Sequence, residues 1–158
     1  MDSREQQVAR AAALASRVRL ECILVGNSGA WLHGSPVVTE DVDLFVRDTP
    51  RNRQKIKKFA RLLGTDVMEP FAPLSNMLRV QKDELIVDFI FRFGHDWKFE
   101  SVHSRSETRK VGGQAVKLAS LPDIIRAKKA AGCPKDLAAL PMLETVLRTK
   151  QEIEKELK

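Results

Sequence analysis

The acidic residue Asp88 constrains this chain more than any other feature. In Leu85-Ile86-Val87-Asp88-Phe89-Ile90-Phe91 every neighbour of Asp88 is apolar, on both faces of a period-two pattern. Such a run predicts a strand buried on both sides. An ionised carboxylate there is costly to desolvate, so the fold must bring Asp88 a backbone cap, a buried arginine or a metal ion. A second acidic feature makes the last option concrete. Asp41 and Asp43 lie one residue apart around a predicted strand over 42–46. Period two places both carboxylates with Phe45 on one face, and Val42, Leu44 and Val46 on the other. Taken alone the pair can be a solvated turn. Set beside the Asp88 strand, it gives three acids that repel one another unless a cation joins them. Such a trio can hold two Mg²⁺ ions about 3.5–4 Å apart, spanning the attacking and leaving oxygens of a phosphoryl transfer.

The rest of the chain alternates helix and strand. Val8, Ala11, Ala12, Ala15 and Val18 recur at helical spacing within 3–19. A strand is predicted over 20–25, ended by Gly26, and a short helix over 28–32, ended by Gly34-Ser35-Pro36. Residues 51–63 carry the clearest amphipathic pattern, with Ile56, Phe59, Ala60 and Leu63 as its stripe and Gly64 as its C-cap. A hairpin is predicted from 77–82 and 84–91. The signal over 94–104 is mixed, with a helix around Trp97, Phe99 and Val102, and a second hairpin turns at Gly112-Gly113. Two helices close the chain, the first over 121–131, separated by Gly132 and Pro134. The last eight residues are mostly charged and are expected to fray. The pattern predicts one α+β domain spanning 1–158, a mixed sheet flanked by helices over about 20–118, and a C-terminal helical segment over about 120–150.

Composition excludes several classes. With 158 residues, 43% hydrophobic and 30% charged, the chain has material for one core. No apolar run is long enough to span a membrane, and the charged start Met1-Asp2-Ser3-Arg4-Glu5 lacks a signal-peptide layout, so a cytoplasmic location is expected. Cys22 and Cys133 lack metal-ligand spacing, as do the three histidines. Cys22 lies in an apolar run and is expected to be buried; Trp31 is expected in the core, and His33 to pack at the end of its short helix. The formal charge of +6 favours an anionic partner. Arg51, Arg53, Lys55, Lys57, Lys58 and Arg61 make one side of the 51–63 helix basic. That face reads first as solvated surface and second as a track for an RNA backbone.

Upstream of the acids runs Val25-Gly26-Asn27-Ser28-Gly29-Ala30-Trp31-Leu32-His33-Gly34. It has neither Walker A nor dinucleotide-fingerprint spacing. Its strand-to-helix turn offers backbone N–H groups and the Ser28 hydroxyl to a phosphate. The order of strand, Gly/Ser turn, helix, Asp-x-Asp strand and later buried Asp resembles the DNA polymerase beta-like nucleotidyltransferase superfamily. More narrowly, Gly26, Ala30, His33, Gly34, Thr39, Asp41 and Asp43 resemble the pattern of small bacterial nucleotidyltransferase-like proteins related to the abortive-infection AbiEii toxins. Leu121–Lys128 and Ala131–Leu137 look like that group's closing helices.

The resemblance implies a catalytic and metal-binding set of Asp41, Asp43 and Asp88. The first two would hold metal under a nucleoside triphosphate; Asp88 would complete a second site and help activate an acceptor hydroxyl. It implies two Mg²⁺ ions, or Mn²⁺, as cofactors. Gly26, Asn27, Ser28 and Thr39 would lie at the nucleotide, with Lys128 as a charge partner, although on its own pattern Lys128 reads as a helix-surface charge. The acceptor is left open among RNA, protein and a small molecule such as an aminoglycoside. A homodimer or a protein partner would complete the acceptor site. A non-catalytic member of a toxin–antitoxin-like pair is the alternative. Three positions depart from the pattern: Asn27 where a second Gly or Ser is usual, and Val37 and Cys133 where Arg is common.

Overall fold

The computed structural model describes residues 2–37 and 39–158. Its elements in chain order are α1 (Ser3–Arg17), β1 (Ile23–Val25), α2 (Gly26–Leu32), β2 (Asp41–Phe45), α3 (Pro50–Leu62), β3 (Val67–Met68), β4 (Leu78–Lys82), β5 (Leu85–Ile90), α4 (Phe99–Arg105), β6 (Glu107–Val111), β7 (Gln114–Leu118), α5 (Leu121–Ala131) and α6 (Pro134–Leu157). The strands form one mixed sheet in the order β3-β4-β5-β2-β1-β7-β6. The β2–β5 and β1–β7 pairs are parallel and the other neighbours antiparallel.

Alternation along the strands divides the core into two clusters. Leu24, Val42, Leu44, Val80, Val87 and Phe89 face α1 and α3. Ile23, Val25 and Phe45 face the opposite layer, built from α2, α4, α5 and α6. Phe59 of α3 meets Phe89 edge-on, with ring centroids 5.1 Å apart. Side chains buried this completely stabilise the fold by about 1.5–3 kcal/mol each. Asp41, Asp43 and Asp88 belong to the α5 side of the sheet, because they alternate with residues of the α1–α3 cluster.

The starts of α1, α3 and α5 carry side-chain caps. Asp2 accepts from the Glu5 amide, Thr49 from the Asn52 amide and Ser120 from the Asp123 amide. Each satisfies one of the free donors of a first turn. Pro50 and Pro122 sit in first turns, where no N–H is needed.

Several boundaries differ from the sequence expectation. The first strand begins at Ile23, not Leu20, because Arg19 turns the chain with φ of 58°. Its helix α2 starts at Gly26 itself. Trp31 is half-buried beneath the Arg4 guanidinium rather than in the core. The helix near 94–104 begins only at Phe99, while Trp97 packs edge-on against Phe93 ahead of it. The C-terminal residues expected to fray continue α6 to Leu157. Cys22 is half-buried, and burial pushes its thiol up to about 12.

Candidate functional site

The sheet register lays the charged groups out in a row. Arg79 of β4 stands opposite Asp88 of β5, Asp88 beside Asp43 of β2, and Asp43 opposite Val25 of β1. The parallel β2–β5 pairing is what sets the two aspartates side by side. Asp41 lies two residues along β2 on the same face. The three acids expected from the sequence are therefore neighbours.

Their electrostatics reflect crowding. Burial pushes Asp43 up to about 7, with the Asp88 and Asp41 charges adding to the rise and Lys128 and Arg79 opposing it. Asp41 is also raised, by burial first and by Asp88 second. Two like charges in a partly desolvated row disfavour ionisation in this way.

Arg79 is the partner that the Asp88 strand required. Its Nε donates to Asp88 Oδ1 at 2.7 Å and its Nη2 to Asp88 Oδ2 at 3.0 Å. Nη2 also lies 3.6 Å from Asp41 Oδ2. Of the three options for Asp88, the arginine is the one realised in the fold. Sequence reading did not single out Arg79, yet a signal was available. Counting back from the Asp83-Glu84 turn pairs 82 with 85 and hence 79 with 88.

The turn ahead of α2 is held against these acids. Ser28 donates to the Val25 carbonyl at 3.0 Å and accepts from the Asp43 amide at 3.0 Å. Its hydroxyl proton is thus already engaged, and Ser28 acts as a clamp between β1 and β2. Thr39 donates to the Asp41 carbonyl at 3.0 Å and fixes the entry to β2. Gly26 has φ of +63°, and a Cβ there would overlap Asp43 Oδ2.

Lys128 corrects the surface reading made of it. It is buried within α5, and its Nζ donates to Asn27 Oδ1 at 2.6 Å and to Asp136 Oδ1 at 3.2 Å. The departing residue Asn27 is therefore the acceptor that fixes this lysine. Cys133 donates to the other oxygen of Asp136, and Val37 packs on the α5-side core. Beside these groups opens a cleft of about 460 Å³, lined by Gly26, Asp43, Ile90, Phe93, Ile124 and Lys128. The basic side of α3 belongs to the other layer; there Arg53 pairs with Asp48 and Lys55 reaches the Arg19 carbonyl. It does not join the cleft.

Among the described residues, no group of three or more acidic, histidine or cysteine side chains is disposed to hold a metal ion. Both oxygens of Asp88 are taken by Arg79. Asp41 and Asp43 fit better: they share a face of β2, neither carboxylate is held in a forked ion pair, and Asp43 borders the open cleft. A pair of carboxylates plus substrate phosphates is the usual holder of Mg²⁺.

No family model and no curated protein matches the sequence, but solved structures match the fold. The antibiotic-resistance factor ANT(2'')-Ia in solution aligns with a TM-score of 0.62 at 15% identity, over 99% of this chain and 96% of that one. Its crystal structure in complex with adenylyl-2''-tobramycin gives 0.60 at 14% identity, over 99% and 100%. An antigenic nucleotidyltransferase-like protein from Paracoccidioides brasiliensis gives 0.52 at 18% identity, over 99% and 92%. The chain has the α+β fold of nucleotidyltransferases, a seven-stranded mixed sheet flanked by helices and closed by a C-terminal helix. Among the described residues no helix is long and apolar enough to cross a membrane.

Proposed function

We propose that the protein is a metal-dependent nucleotidyltransferase that moves a nucleotidyl group from a nucleoside triphosphate to a hydroxyl acceptor. The observation that carries this reading is the register: Asp43 and Asp88 are adjacent on parallel strands with Asp41 on the same face, and Asp43 lines a cleft that also holds buried Lys128. Three carboxylates crowded in one row repel one another, and a bound cation offsets that cost.

Asp41 and Asp43 would hold Mg²⁺ or Mn²⁺, which when bound neutralises phosphate charge. Gly26 lines the cleft with no side chain, which leaves room for the Asp43 carboxylate, and Lys128 supplies a cation from α5. Asp88, held by Arg79 beside Asp43, would be the third acid toward the acceptor. The acceptor oxygen attacks the α-phosphorus; the new O–P bond forms as the bond to pyrophosphate breaks, and the acceptor proton passes to a carboxylate. Catalysis of this kind is positioning plus electrostatics.

A small hydroxylated acceptor is favoured over RNA. The ANT(2'')-Ia complex carries an adenylylated aminoglycoside and matches nearly end to end, while the basic helix that would track RNA lies on the other layer. The narrower likeness to AbiEii-related proteins rests on the sequence pattern around Gly26–Asp43, and with it the alternative of a non-catalytic partner protein. Transfer of label from α-labelled triphosphates to pooled aminoglycosides, other small alcohols, RNA and protein tests the reading. Labelling that disappears in Asp41→Ala and Asp88→Asn is expected. Metal–nucleotide binding without any transfer would favour the non-catalytic alternative, and no metal–nucleotide binding by calorimetry would exclude both the enzyme and its cofactor.

A further inference from the structure

Arg79 does more than satisfy a buried acid. It lies in direct register with Asp88 on the neighbouring antiparallel strand, so the ladder fixes its Cα beside the carboxylate. Its guanidinium engages both Asp88 oxygens in a fork, the most directional form of ion pairing. The same group leans on Asp41 at 3.6 Å, and the Phe71 ring lies 6.0 Å from it on another side. Asp88 is buried, and the Arg79 side chain is only 22% exposed, so neither is free to be replaced by water.

We propose that Arg79 stands on Asp88 in place of a second divalent ion, so that the site binds one ion, on Asp41 and Asp43. The inference rests on the nucleotidyltransferase reading and refines its metal requirement from the two ions expected from the sequence. With Lys128 paired to Asp136, three ionised carboxylates and one guanidinium leave two negative charges over, which one divalent ion neutralises. A second ion would have to displace a forked pair, and the displaced guanidinium, tethered by its strand, would remain close enough to repel it. In this arrangement Arg79 is a positioning residue: its fork fixes the orientation of the Asp88 carboxylate beside Asp43.

The experiment counts ions on the full chain without nucleotide. Mn²⁺ is titrated and the free ion followed by electron paramagnetic resonance, with circular dichroism confirming that each variant is folded. One ion is expected for the wild type and for Arg79→Lys, which keeps the charge. Two are expected for Arg79→Gln, and one again for Arg79→Gln combined with Asp88→Asn. Two ions on the wild type overturn the inference without any variant. An unchanged count and affinity in folded Arg79→Gln also overturn it, while leaving the nucleotidyltransferase reading standing. Absence of Mn²⁺ binding in every form, with a triphosphate analogue present as well, removes that reading and this inference with it.

Discussion

Gly26 lies directly against the Asp43 carboxylate: a Cβ built on Gly26 would overlap Oδ2 and sit 3.0 Å from Cγ. The contact closes the turn between β1 and α2 over the acid row, and the φ of +63° belongs to the left-handed region that glycine alone enters without strain. Gly26→Ala is expected to destabilise the protein by about 2–4 kcal/mol, from backbone strain and overpacking together. Urea unfolding measures this. The same variant should lose metal–nucleotide binding under conditions where it remains folded, because Asp43 must move to admit the methyl group.

Asp43 links stability to pH in a direction unusual for a carboxylate. Its folded value is raised to about 7 from 3.8, so the native state holds a proton that the unfolded chain has released. Between those values the native state binds more protons, and stability falls as pH rises. Asp43→Asn is expected to raise the melting temperature at pH 8 and to change it little at pH 4. A divalent ion that binds the ionised pair acts oppositely. Mg²⁺ should stabilise the wild type more at pH 8 than at pH 5, and Asp43→Asn at neither. Melting curves at the two pH values, with and without Mg²⁺, decide the point.

Much of this arrangement is legible from the residues, where one local rule dominates. The α3 helix carries its Thr49 cap, Pro50, an apolar stripe and Gly64 in the right order. The acid row follows from strand alternation once β2 and β5 are neighbours, but nothing local states that pairing; it is a tertiary fact. Arg79 is different, since hairpin counting reaches it and only its isolation among ordinary strand residues concealed it. Lys128 follows Ile124 by four and Ile125 by three, which places it on the buried face of α5. A charged residue on that face is the signal of a site, and reading it as surface gave weight to charge over spacing. Strand β3 has two residues, too few to make a periodic pattern.

Lys128 joins two layers of the site, bonding Asn27 on α2 and Asp136 on α6. Lys128→Met keeps most of the aliphatic stem while removing the charge. It should weaken triphosphate binding by roughly 10–100-fold, the loss of one charge-assisted contact of about 1.5–3 kcal/mol. Binding of the free metal ion should change far less, since Asp41 and Asp43 remain. Calorimetric titrations with Mg²⁺ alone and with a Mg²⁺–triphosphate analogue separate the two effects. Equal losses in both would show that Lys128 acts on the fold, not on phosphate.

His33 supplies a pH dependence of the opposite sign. Its Nε2–H donates to the Ala119 carbonyl at 2.8 Å, and Nδ1 accepts from Lys150 Nζ on α6 at 2.9 Å. Burial lowers its pKa below 6.5, the Ala119 bond opposing and the Lys150 charge assisting the fall. The ring is therefore neutral in the fold; a proton on Nδ1 would set two cations against each other, offset in part by Glu107 Oε1 at 3.7 Å. A lowered histidine value contributes stability that is present above pH 6.5 and lost as pH falls below it. In the wild type this acidic loss is masked by the contrary slope of Asp43. It should emerge in Asp43→Asn, whose melting temperature is expected to drop between pH 7 and pH 5. Adding His33→Gln should flatten that drop. Lys150→Met, by removing the repulsive charge, should raise the His33 pKa in an NMR titration; an unchanged value would show that Lys150 does not bear on the ring in solution.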